Sequence, residues 1–231
     1  MPENCPQESI QIYLEKTGAL WYFHSMKTEK TSQKKIKILA VSDYIDKSLK
    51  DKIKNKTHDP VDLILSCGDL PPEYLSFLRD RLDKPLYYVK GNHDIRYTAV
   101  NPMGCENIHA RIKIFKSLKI MGLEGSMWYS GGPNQYTEKE MQRIILKMWF
   151  PMWIKKGIDI IITHAAPRNV HDGQDVCHKG FTGFNKLIKT RKPEYFIHGH
   201  IHKSFKNQEA RITRVNGTKV VNTCGFTLLE I

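Results

Sequence analysis

An apolar run, Tyr195-Phe196-Ile197, stops on His198-Gly199-His200-Ile201-His202. Imidazoles gathered where an apolar run ends suit a borderline divalent metal such as Zn, Mn, Fe or Ni. In an extended segment His200 and His202 stand two apart and point to the same side. The pattern recurs along the chain. Apolar runs also stop on Asp43, on Gly68-Asp69, on Gly91-Asn92-His93-Asp94 and on Thr163-His164. Each ending alone has an ordinary structural explanation, because Asp after a strand often caps a helix or forms a turn. Brought to one edge, the carboxylates, the amide and the imidazoles make a first-row metal site.

Strands must deliver these residues. The runs 36–42, 61–67, 86–89, 158–163 and 195–198 read as buried, neighbouring parallel strands. Open α/β sheets bind ligands beyond the C-terminal ends of their strands. Helices fall between the runs. Pro71-Pro72 opens one, with Leu75, Leu78 and Leu82 as its apolar stripe. Thr137 and Glu140 form a capping box for a second, expected to run to about Phe150 and to be punctuated by Pro151. Residues 183–189 read as a third. Residues 111–114 and 118–123 read as a hairpin, as do 212–215 and 219–222 around Asn216-Gly217, a type I′ signal. Residues 226–231 make a last strand, 125–135 a loop, and there is no internal repeat.

The 231 residues fit one α/β domain with a large core. Residues 1–34 read as an N-terminal extension with a polar linker at 27–35, and residues 35–231 as the domain proper. Met26 is a candidate alternative start. No stretch approaches the roughly 18 apolar residues of a membrane span, and the N-terminus lacks the basic-then-apolar plan of a signal peptide. Five scattered cysteines with no CxxC pair read as reduced thiols, and the expected location is cytoplasmic. The net charge of +12 admits a nucleic-acid partner, but lysines spread along the chain without interleaved aromatics favour a generic Lys-rich surface.

The order Asp43, Gly68-Asp69, Gly91-Asn92-His93-Asp94, His164 and Gly199-His200-Ile201-His202 resembles the calcineurin-like metallophosphoesterase family, over roughly residues 36–225. Thr163-His164-Ala165-Ala166-Pro167 also resembles that family's histidine loop. The resemblance implies an α/β fold, a four-layer αββα sandwich of two mixed sheets with the metal site at the strand C-terminal ends. It implies two divalent metal ions (Mn, Fe, Zn or Ni) and a bridging hydroxide that attacks a phosphoric ester. Asp69 would bridge the metals. Asn92, His164 and His200 would complete one site, and Asp43 and His202 would serve the other. His93 would sit beside the phosphate, stabilising its charge or protonating the leaving oxygen, and Asp94 would orient the His93 ring.

The chain departs from the family at the first motif, Asp-x-His, which here reads Asp43-Tyr44-Ile45. Ile45 cannot bind metal, so one site is weak or exchangeable unless Asp46 or Tyr44 compensates. Asp46 equally suits a helix cap. Asn134, Gln135 and Tyr136 lie in a loop able to approach substrate, whereas His171, Asp172 and His178 read as solvent-facing and His198 as a core or supporting imidazole. The leading expectation is a metal-dependent hydrolase of small phosphoric esters. The alternatives are a metal- or phosphate-binding protein with little catalysis, and a nuclease.

Overall fold

The computed structural model describes residues 35–98, 100–203 and 205–231. The expected extension at 1–34 and the start-site question at Met26 lie outside the described residues. In chain order the elements are β1 (Lys37–Ser42), α1 (Lys47–Lys54), β2 (Leu63–Ser66), α2 (Pro72–Leu82), β3 (Leu86–Tyr88), β4 (Glu106–Asn107), β5 (Ile112–Phe115), β6 (Leu118–Leu123), β7 (Ser126–Met127) and β8 (Gln135–Tyr136). There follow α3 (Glu138–Ile154), β9 (Ile160–Thr163), α4 (Thr182–Arg191), β10 (Tyr195–His198), β11 (Ile212–Val215), β12 (Thr218–Asn222) and β13 (Gly225–Glu230).

The strands form two large mixed sheets. One has the order β13-β1-β2-β3-β4, with β13 antiparallel to its neighbour and the rest parallel. The other has the order β11-β12-β10-β9-β6-β5, parallel at its centre and antiparallel at both edges. The five ligand-bearing ends therefore divide, three in one sheet and two in the other, where the sequence alone suggested neighbours in a row. Pairing between distant strands leaves no local trace in composition, which is why the partition was not legible.

The period of two along each strand builds the layers. Ile38, Ala40, Leu63 and Leu65 of the first sheet meet Ile160, Ile162, Tyr195 and Ile197 of the second in one buried core. Leu39, Val41 and Ile64 face the other way, onto Leu49 and Ile53 of α1 and Leu75 and Leu78 of α2. Ile161 and Phe196 face Met141, Phe184 and Leu187 of α3 and α4. The result is the expected αββα sandwich.

Two local expectations change. The Thr137–Glu140 capping box forms, but α3 runs through Pro151 to Ile154. Proline removes one backbone donor, and burial of Met148 and Met152 on either side holds the last turn. The loop at 125–135 includes short strands, with β7 paired to β8. Among the described residues no helix is long and apolar enough to cross a membrane, and Cys67, Cys105, Cys177 and Cys224 are free.

Candidate metal centre

Three of the five ligand-bearing segments reverse sharply just beyond their strands. Asp43, Asp69 and His200 all adopt left-handed backbone, with φ of 70°, 57° and 67°. Asp and His enter this region more readily than most residues, and the reversal turns their side chains back over the sheet ends. His200 and His202 are therefore not on an extended strand, since β10 ends at His198. Alternation does not bring them to one side. The turn at Gly199-His200 leaves His200 beside Asp69 and His164, and His202 beside Asp43.

The centre of the cluster is buried. His164 Nε2 lies 3.2 Å from Asp69 Oδ2 and 3.0 Å from Asn92 Oδ1. His164 Nδ1 donates to the Cys67 carbonyl at 2.8 Å, which leaves Nε2 facing those oxygens. His200 is held the other way round. Its Nε2 donates to the Cys177 carbonyl at 2.8 Å, so Nδ1 is the nitrogen left free. One ligand atom each from Asp69, His164 and His200 lies within 4.8 Å of the other two. Locking one ring nitrogen to a carbonyl fixes tautomer and orientation, as around metal-ligating histidines generally.

The backbone around this cluster has no spare room. A Cβ added at Gly91 would stand 2.0 Å from Asp69 Oδ1 and 2.8 Å from His164 Cε1. Asp94 secures the same loop. Its Oδ2 accepts from the backbone N–H of Gly91 at 2.7 Å and of Asp69 at 2.8 Å. This corrects the expected role of Asp94, because its carboxylate holds the loop backbone and makes no hydrogen bond to the His93 ring. His93 is exposed at the mouth and donates its backbone N–H to Asp69 Oδ1 at 2.8 Å.

Charge is distributed to suit a cation. Burial works against ionising Asp69, but the His164 imidazole and the His93 N–H hold its carboxyl at about 2. Burial likewise disfavours charge on His164, yet the carboxylates of Asp69 and Asp43 raise it to about 9. Burial and the neighbouring His164 charge push His200 down to about 4, leaving a neutral imidazole. Burial, with the Asp69 charge beside it, lifts Asp94 to about 7. Two ionised carboxylates and a neutral imidazole thus surround the His164 proton, at the point where a divalent ion would sit. The donors fit one metal ion well.

A second position, were one filled, would be poorer. The Asp43 carboxylate is buried, accepts from Ser42 Oγ at 2.6 Å and lies 3.6 Å from His202 Nε2, whose ring is exposed. Ile45 is half-buried against the α1–α2 core. Asp46 is the N-cap of α1 and accepts from the Leu49 N–H at 2.9 Å, so the cap reading holds and its carboxylate is engaged away from the metal position. Tyr44 packs its ring against Gly225. Asp43, Asp69 and His202 are left to furnish this position.

Neighbouring loops support the site in ways the sequence did not disclose. Asn92 Nδ2 donates to Tyr129 OH at 3.1 Å, which turns Asn92 Oδ1 toward His164. Asn134 Nδ2 donates to the Gly91 carbonyl at 3.0 Å, whereas Gln135 Oε1 accepts from the Tyr129 and Ser130 N–H groups and Tyr136 OH donates to Glu124. These three brace the loop. His171 bridges His198 and Thr213 at 2.9 and 2.8 Å, Asp172 is paired with Arg168, and the His178 ring lies 5.1 Å from that of His200 while contacting Asp175. The reading of His171 and Asp172 as solvent-facing is thereby corrected, whereas the His178 side chain is 43% exposed, as expected. His198 is fully buried, in keeping with a core imidazole.

A double-sheet sandwich thus gathers carboxylate, amide and imidazole donors suited to a divalent metal at its strand ends. Known folds agree. One solved chain superposes with a TM-score of 0.60 at 18% identity, over 85% of this chain and 95% of its own length. TT1561 of Thermus thermophilus does so with a TM-score of 0.55 at 18% identity, over 82% and 89%. The calcineurin-like phosphoesterase YfkN of Bacillus subtilis gives 0.50 at 15% identity, over 85% and 84%. No curated protein matches by sequence. The calcineurin-like phosphoesterase family pattern matches residues 36–204. The chain belongs to that family.

Proposed function

We propose that the protein is a metal-dependent hydrolase of small phosphoric esters. The observation that carries the reading is His93, exposed at the mouth, with its backbone tied to Asp69 and thereby to the buried Asp69–His164–Asn92 cluster. Asp69, Asn92, His164 and His200 would hold one divalent ion, and Asp43, His202 and Asp69 a second, weaker one. Ions bound there would neutralise phosphate charge and make a water nucleophilic near neutral pH.

The chain's own residues supply the rest. The two aspartates and His202 would draw the ester to the mouth only through bound cations, because carboxylates alone repel a phosphate. His93 is free to turn its ring toward the ester, stabilising charge on phosphorus or giving a proton to the departing oxygen. The buried floor, made of Gly91, His164 and Gly199, keeps bulk water away from one side of the reacting group.

A second reading, a metal- or phosphate-binding protein with little turnover, is favoured only by Ile45, which points into the core, and by Asp46, which is committed to capping α1. A panel of chromogenic phosphomonoesters and diesters, run with Mn²⁺, Fe²⁺, Zn²⁺ and Ni²⁺, decides between them. Metal-dependent release of product supports the hydrolase. Tight metal binding with no turnover of any ester supports the binder.

A further inference from the structure

Helix α3 carries two apolar stripes. Met141, Met148 and Met152 are buried against the second sheet. The other stripe, Leu146, Trp149, Phe150, Trp153 and Ile154, repeats at i, i+3, i+4, i+7 and i+8, the spacing of a continuous helical face. All five point outward, with exposures from 54% to 71%. Phe150 and Trp153 stack on each other at 6.1 Å, and the Arg191 guanidinium sits 5.0 Å above Trp149. A contiguous apolar face of this size marks an interaction site.

Its rim is basic. Lys147 is exposed on α3 beside the stripe, Lys155 and Lys156 are exposed just past its C-terminus, and Lys189 and Lys192 are exposed at the end of α4, which packs along α3. The acidic residues of α3, Glu138 and Glu140, are both in its first turn at the far end. Glu138 there accepts from the backbone N–H groups of Thr182 and Gly183, so its charge is engaged with the start of α4.

We propose that this face of α3 docks in the plane of an anionic lipid surface. Tryptophan and phenylalanine would enter the headgroup boundary, and the lysine rim would lie over lipid phosphates. Tryptophan prefers that boundary, and an in-plane helix with an apolar face and a basic edge is the form that binds there. Each lysine near an anionic leaflet adds attraction. A second copy of the chain fits less well. Two-fold pairing of α3 on α3 would lay an equally apolar stripe with a basic rim of its own against this one, whereas an anionic leaflet supplies the charge opposite to the rim. In-plane docking is distinct from a membrane span and does not depend on the hydrolase reading.

The test uses the full chain in flotation assays with vesicles of phosphatidylcholine alone and of phosphatidylcholine with phosphatidylglycerol. The native protein should float with the anionic vesicles, with a blue shift of tryptophan emission, and much less with the neutral ones. The triple change Trp149→Ser, Phe150→Ser and Trp153→Ser should weaken anionic-vesicle binding at least about tenfold. The triple change Lys147→Gln, Lys155→Gln and Lys156→Gln should remove most of the preference for anionic lipid, by about tenfold or more. Should the triple serine variant fail to fold, Trp153→Ser alone, at a surface position, still weakens binding. The proposal is overturned if the native protein stays off both vesicles, or if the serine variants float as the native protein does. A dimeric mass that becomes monomeric in the serine variants, without vesicle binding, would instead assign the stripe to a second copy.

Discussion

The backbone N–H of His200 donates to Asp43 Oδ1 at 2.8 Å, joining two residues 157 positions apart. Asp43 follows β1 of the first sheet and His200 follows β10 of the second. This bond joins the two sheets beside the site, where the proposed second metal ion would sit. Gly199 makes the approach possible, since a Cβ there would stand 2.7 Å from Ser42 Cβ and 3.0 Å from Asp43 Oδ2.

Gly199→Ala should therefore push the His200 turn away from Asp43. Metal affinity should fall about 10- to 100-fold, the usual effect of disturbing groups that orient ligands. Isothermal titration with Mn²⁺ measures it. Native affinity in the variant would mean that the two loops adjust without using the bond.

Asp94→Ala should act on stability and metal retention together. It strips the partner from two N–H groups, those of Gly91 and Asp69, and a buried donor left unpaired costs about 1–3 kcal/mol. Thermal melting should show a lower midpoint, and metal analysis a lower content. A variant with native stability and metal content but slow turnover would restore the role expected from sequence, in which Asp94 serves the His93 ring.

Tyr129→Phe removes the oxygen that accepts from Asn92 Nδ2 and keeps the ring. The Asn92 amide then loses the contact that turns Oδ1 inward, and metal affinity should drop about tenfold. Metal titration checks this. An unchanged affinity would show that Asn92 needs no outside support.

His202→Ala should separate the two metal positions. Its exposed ring reaches only Asp43, whereas Asp69, Asn92, His164 and His200 are untouched. Metal content measured by mass spectrometry under limiting metal should fall toward one ion per chain. Loss of all metal would mean that the positions do not fill separately.

The sequence disclosed most of this site because apolar runs ending in Asp43, Asp69, Asn92, His164 and His200 are a local signal. The αββα layering came from the resemblance, and alternation in β1, β2, β9 and β10 explains it. What stayed hidden has physical reasons. Helix α1 buries only Leu49 and Ile53 among lysines, so its apolar stripe is just two residues long. The pairing of β7 with β8 joins two-residue segments, too short for a pattern. Tyr129 reaches Asn92 across 37 residues, and Cys177 acts on His200 through a backbone carbonyl that any residue type could offer. The outward stripe of α3 was present as spacing, but only the fold reveals which of its two apolar faces is exposed among the described residues.

The central claim is that His93 does chemistry at a metal site it does not help to build. The direct measurement is phosphoester turnover by metal-replete His93→Asn, with metal content determined on the same sample. The account predicts a fall in kcat of about 10²–10⁴ with unchanged metal content, since the backbone N–H to Asp69 remains. Native turnover in the variant, or loss of metal in step with activity, would contradict it.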